Sequence, residues 1–167
     1  MTSLQTRFQV DRERRAAVTH AVAAGFVALA TMLLLATTDR LFGFGVFAIP
    51  FIATAAVVAM APAAPLARPK AIVLSYPAAT ILALVITLFL GPSMYTATAA
   101  VAVSIAIMLL LRAPHAPAAA AAALIGLTDP GVGYLLEPLV PALVVVIATP
   151  LLGGRFLPTF TYPLSWR

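Results

Sequence analysis

Six apolar stretches, set apart by short clusters of proline, glycine and charge, organise the chain. The first runs from Ala16 to Thr38 and is closed by Asp39-Arg40. It is long enough to cross a bilayer, for which roughly 20 helical residues suffice. The second, from about Phe44 to Ala61, contains Pro50, which predicts a kink that neighbouring segments must re-satisfy. Pro62 to Lys70 reads PAAPLARPK and is a loop. The third stretch spans Ala71 to Leu90, with Ser75, Tyr76 and Pro77 near its start and Gly91-Pro92 at its end, and the fourth runs from about Tyr95 to Leu111 and stops at Arg112. The fifth, Ala116 to Leu127, is almost pure alanine. Pro117 suits the first turn of a helix, where its missing N–H costs nothing, and alanine is the strongest helix former. Its twelve residues, at roughly 1.5 Å each, reach about 18 Å against a hydrocarbon core of about 30 Å, so this segment is predicted to be re-entrant or strongly tilted. After the turn TDPGVG, from Thr128 to Gly133, a last stretch from Val132 to Leu152 carries Glu137, Pro138, Pro141 and Pro150, which predict a bend. Residues 1–15 form a polar lead, and Gly153 to Arg167 a tail whose aromatic residues suit the headgroup region.

The pattern predicts an all-α, polytopic helical membrane protein with about six membrane segments, the transmembrane domain covering residues 16–152. Composition agrees: the chain is 63% hydrophobic and 9% charged, with a mean hydropathy of +1.08. A secretory signal at the N-terminus is the competing reading of the first stretch, but the apolar run exceeds a usual signal core and a further membrane segment follows it. Six segments place Arg7, Arg12, Arg14, Arg15, Arg68, Lys70, Arg112, Arg155 and Arg167 on one side and Arg40 alone on the other. By the positive-inside rule both termini are then cytoplasmic, and the lack of a transit-like presequence points to a bacterial inner membrane. His20, about one helical turn in from the arginines, reads as an interfacial residue.

Charge and chemistry change the picture only locally. The net charge of +5 is not a nucleic-acid footprint, because the basic residues neither line one helix face nor alternate with aromatics. With no cysteine, disulfides, thiolate metal sites and a cysteine nucleophile are excluded. Nucleophile-and-base pairs, metal-ligand clusters and paired carboxylates are missing, so no enzyme, metal or cofactor is expected. Asp129 and Glu137, eight apart across a Pro-Gly turn, read as loop polarity. His115 is the one mid-chain histidine and stands just outside the fifth helix's N-terminus, where unpaired N–H groups and the helix dipole favour an anion. Around it the sequence offers Arg112, Arg68, Lys70, Ser75 and Tyr76 as groups able to replace an ion's water. No chain of carboxylates or histidines crosses the bilayer, which argues against a proton-relay pump. A competing reading has His115 only capping its helix and the cations only fixing topology. Ala61 to Pro65 and Ala113 to Pro117 both read APxAP, 52 residues apart, which is either an internal repeat or a chance match in an Ala- and Pro-rich chain.

From about Phe51 to Trp166 the chain resembles the HPP family of small integral membrane proteins, named for a His-Pro-Pro motif. Three pieces carry the likeness. Pro62 to Lys70 is similar to the family's APxxPLAQPR loop, with Pro65, Leu66, Ala67, Pro69 and a cation at Lys70; Leu111 to Leu124 resembles its LxxxHPPAGATAL segment; and Tyr162-Pro163-Leu164-Ser165-Trp166, just before Arg167, is the third piece. Ala116 stands at the middle position of the naming motif, alanines at 119 and 121 replace a glycine and a threonine, and Ser75-Tyr76 stands where many members have glycine and histidine. The resemblance implies several membrane spans and, as in some plastid and cyanobacterial members, transport of nitrite. The function expected is therefore facilitated transport of a small monovalent inorganic anion, with His115, Arg112, Arg68, Lys70, Ser75 and Tyr76 as its binding residues. The alternative is a membrane scaffold that transports nothing and self-associates through small faces such as Ala118 and Ala122.

Overall fold

A computed structural model describes residues 3–163, with side chains from residue 9 onward. The side chain of Arg7 and residues 164–167, which include the end of the YPLSW sequence and Arg167, lie outside the described residues. Six helices follow one another: α1 (Ser3–Phe42), α2 (Ile49–Met60), α3 (Pro69–Leu90), α4 (Met94–Leu110), α5 (Ala116–Thr128) and α6 (Leu139–Phe156). Three apolar runs, within α1, along α3 and from Val132 to Phe156, are long enough to cross a membrane by length and composition, and α2, α4 and α5 are shorter.

Three boundaries differ from the sequence reading. The polar lead is not separate: α1 starts at Ser3, because no glycine or proline interrupts the Arg-, Glu- and Ala-rich stretch that joins it to the first span. Pro50 does not kink the second segment but sits in the first turn of α2, the place where proline costs no hydrogen bond. The chain before it, after Gly43 and Gly45 at positive φ, is not helical, and the Asp39 carboxylate accepts the N–H of buried Val46 at 2.9 Å there. The last stretch is split into a 3₁₀ turn, Val132–Leu135, and α6, which holds Pro150 inside and runs on through Gly153 to Phe156.

The alanine helix is the centre of the molecule. Pro117, Ala118, Ala119, Ala121, Ala122, Ile125 and Gly126 of α5 are all buried, and α3, α4 and α5 pack most extensively on one another. Small side chains allow this. A Cβ built on Gly126 would lie 2.5 Å from the Ala97 Cα, so α4 and α5 touch backbone to backbone there. Ala118 and Ala122, the face expected to mediate self-association, are fully buried within the chain. By contrast α1 lies at the edge, against α2 and α6, and buries a single row of residues four apart: Ala23, Val27, Thr31 and Leu35.

Hydrogen bonds define two ends. At one, the His115 Nδ1 lies 2.7 Å from the Leu66 carbonyl, the Tyr162 hydroxyl donates to the Ala67 carbonyl at 2.7 Å, and the His20 Nδ1 lies 3.2 Å from the Thr159 carbonyl. Burial holds the Tyr162 phenol above its ordinary range, so it remains a donor. At the other, the Ser93 N–H donates to the Gly126 carbonyl at 2.9 Å, tying the α3–α4 turn to the end of α5. The α2–α3 and α4–α5 connections and the tail thus share one end, as six alternating segments require. The two APxAP connections meet at that end, yet the helices they join run 12 then 22 residues in one case and 17 then 13 in the other.

Candidate functional site

Two groups of polar residues gather at the end where Leu66 meets His115. The inner group is a closed hydrogen-bonded chain. His115, the N-cap of α5, is 1% exposed, and both ring nitrogens are occupied. A carbonyl can only accept, so Nδ1 carries the proton directed at Leu66; in the neutral ring Nε2 is then the acceptor for the Thr54 hydroxyl, 2.9 Å away. Thr54, fully buried on α2, also lies 2.8 Å from the Tyr76 hydroxyl; with the Thr54 proton on His115, the single Tyr76 proton is shared between Thr54 Oγ1 and the Pro50 carbonyl, also 2.8 Å away. The Tyr76 ring is wedged between Phe51 and His115, with centroids 5.4 Å from each. One imidazole and two hydroxyls therefore bind α2, α3 and the start of α5 together. Deeper in the bundle the Thr80, Ser104 and Tyr134 hydroxyls are buried with no hydrogen-bond partner among the described residues.

The outer group is cationic. Arg68, Lys70 and Arg112 line a recess of about 290 Å³ together with Pro65, Ala71 and Pro114. Local structure explains their convergence. Arg68 is the N-cap of α3 and Lys70 lies in that helix's first turn, brought round by the 3₁₀ turn Pro65–Ala67. Arg112 ends α4 in the left-handed conformation, φ 52°. Its N–H bonds the Leu109 carbonyl at 3.0 Å and the Ala113 N–H bonds the Met108 carbonyl at 2.9 Å, the Schellman arrangement that usually carries glycine at this position. A non-glycine residue there costs about 1 kcal/mol.

Three of the six residues singled out in the sequence, Arg68, Lys70 and Arg112, thus share one recess. His115 and Tyr76 belong to the inner chain, separated from the recess by Pro114 and the Leu66 segment. Ser75 joins neither group: it is buried and its hydroxyl turns back to the Ile72 carbonyl at 3.3 Å. Sequence reasoning missed Thr54, the link between His115 and Tyr76. Its signal was a hydroxyl one turn after Pro50, in range of that residue's carbonyl, from which Thr54 Oγ1 lies 3.1 Å. Among the described residues no cluster of three histidines or carboxylates could hold a metal.

Residues 13–163 match the family described as HPP, transmembrane region. No curated protein and no solved structure matches the chain.

Proposed function

The chain belongs to the HPP family of integral membrane proteins, and from that premise we propose that it carries a small monovalent anion, with nitrite the first candidate, across the membrane without chemistry on the anion. The observation that carries this reading is the recess where Arg68, Lys70 and Arg112 converge next to the buried His115 chain. In the positive-inside orientation this end faces the cytoplasm, of a bacterial inner membrane in this proposal, and both termini lie on the same side. The three cations raise the local anion concentration, an effect that weakens as salt increases. To pass inward an anion takes over the Nδ1–H of His115 from the Leu66 carbonyl and the hydroxyl of Tyr76 from the Pro50 carbonyl. Each exchange trades one acceptor for another, so no buried donor is left unpaired. Beyond them, the unpartnered hydroxyls of Thr80, Ser104 and Tyr134 supply further donors in place of water.

A second reading rests on a specific feature. Every polar group of the inner chain is already bonded within the protein, which suits a rigid clamp in a scaffold that transports nothing. Flux into liposomes separates the two. Purified protein should give saturable nitrite uptake above empty liposomes, with chloride and nitrate run alongside, and Arg112→Ala or His115→Ala should reduce it at least tenfold while insertion is unchanged. No flux of any of the three anions through correctly inserted protein supports the scaffold.

A further inference from the structure

The cationic recess does not stand alone. Pro114 forms one of its walls and is also part of an apolar groove of about 210 Å³ lined by Ile105, Met108, Leu109, His115, Ala116 and Ala119. The groove runs between the last turns of α4 and the first turns of α5, and its rim is open: Leu109 and Ile105 are 62% and 46% exposed. Arg112 and Leu109 are bonded through the Schellman turn, so the head of one cavity and the wall of the other are fixed relative to each other. A three-cation cup at the end of the bundle, continuous with an apolar trough descending along a membrane helix, has the polarity of a lipid.

We propose that this composite site holds one anionic phospholipid of the surrounding bilayer, its phosphate among Arg68, Lys70 and Arg112 and an acyl chain along Leu109 and Ile105. Charge complementarity selects the occupant. Two guanidinium forks and an ammonium match the oxygens of a phosphodiester. A zwitterionic lipid would bring its own ammonium into a cup that already holds three positive charges, whereas phosphatidylglycerol brings none. A free inorganic anion would use the cup and leave the trough to bulk lipid. The left-handed turn at Arg112 carries the chain from the groove wall at Leu109 to the cup. The inference concerns what occupies this mouth, not what crosses the membrane; the lipid phosphate and a transported anion would compete for the same three cations, so the lipid must leave the cup before an anion enters.

Native mass spectrometry of the full chain in detergent, with phosphatidylglycerol and phosphatidylcholine offered in equal amounts and inorganic phosphate added separately, tests it. The wild-type protein should retain one phosphatidylglycerol with at least tenfold preference over phosphatidylcholine, and inorganic phosphate should not displace it. Arg68→Gln/Lys70→Gln/Arg112→Gln should abolish the preference, while Arg68→Lys/Arg112→Lys keeps most of it. Ala116→Leu fills the trough from an exposed position and leaves all three cations in place, so it should weaken lipid retention severalfold whether or not the triple variant folds. Equal retention of both lipids by the wild type, unchanged retention in Ala116→Leu, or displacement by inorganic phosphate would each overturn the proposal, the last by reducing the site to a cup for free anions. Because no reading depends on transport, a flux-negative protein that still selects phosphatidylglycerol sinks the function proposed above and leaves this inference standing.

Discussion

The first helix and the fifth make opposite use of apolar sequence. α1 carries large residues and leaves most of them facing outward: Val22, Phe26, Leu29 and Leu33 are each more than half exposed, and burial is confined to the row Ala23, Val27, Thr31 and Leu35. α5 is built mainly of alanine, and seven of its thirteen residues are buried. In water, hydrophobicity sorts inside from outside. In lipid both places are apolar, and residue size does the sorting, because close backbone approach gains dispersion while a large side chain gains nothing by leaving acyl chains for protein. The short alanine helix sits at the centre for the same reason that it cannot span alone: neighbours pack tightly around it and cover the backbone at its ends.

The sharpest way to break this contrast is at the closest approach. Gly126→Val must push α4 away, since even a single Cβ would meet the Ala97 backbone at 2.5 Å, and the Ser93 N–H to Gly126 carbonyl bond goes with it. Overpacking at the extreme of its usual range costs about 3 kcal/mol, to be read from an unfolding titration in mixed micelles. Gly153, at the α1–α6 contact, is the control. A Cβ there meets side chains rather than backbone, Val27 Cγ2 at 2.8 Å and, in ordinary contact, Phe160 Cδ1 at 3.8 Å. Gly153→Ala should cost about 1 kcal/mol or less. Equal losses at the two glycines would mean that α1 and α5 are packed alike.

Next in size is the clamp at the entrance of α5. His115→Ala removes the bonds to Leu66 and Thr54 and leaves the part-buried Leu66 carbonyl without its donor, a loss of about 2 kcal/mol in the same titration. Tyr76→Phe removes one hydroxyl and keeps the ring against Phe51 and His115, so it should cost about 1 kcal/mol. If Tyr76→Phe proves the more damaging, the chain is held through Pro50 rather than through His115.

How much of this was legible depended on what each residue answers to. The six apolar stretches, the proline at the first turn of α5 and the cations gathered at one end follow from periodicity, length and charge, which are local. The place of α5 at the core was not legible, since length alone predicted a re-entrant or strongly tilted segment and only the small size of Ala118 and Ala122 pointed to close packing. The role of Pro50 was misjudged because the same residue kinks a helix in its middle and starts one at its end, and the glycines at 43 and 45 that delay α2 could not be weighed against it. Of the candidate site, the meeting of Arg68 with Arg112 followed from the loops sharing an end, whereas Thr54 and the left-handed turn at Arg112 depend on contacts across 61 residues and on a backbone conformation that arginine rarely adopts.

That turn gives a prediction in which stability and charge part company. Arg112→Gly relieves the left-handed strain and should stabilise the protein by about 1 kcal/mol, although it removes a third of the cationic cup. Flux and phosphatidylglycerol selectivity should fall while the unfolding midpoint rises. A substitution that lowered all three together would mean that the guanidinium, not the backbone, keeps α4 in place.

The smallest expected effect returns to α1. Phe26 is 62% exposed and faces acyl chains, so Phe26→Ala exchanges one apolar neighbour for another. Its cost in bilayers should stay within about 0.5 kcal/mol, far below the roughly 3–5 kcal/mol typical of removing a phenylalanine from a water-soluble core. Val27→Ala, one residue along and facing Gly153, removes less volume but from a packed seam, and should cost more than Phe26→Ala does. The reversed order, with the larger loss at Phe26, would show that this face of α1 is covered by protein in the membrane, and the outward row Val22, Phe26, Leu29 and Leu33 would then be an interface between chains rather than a surface for lipid.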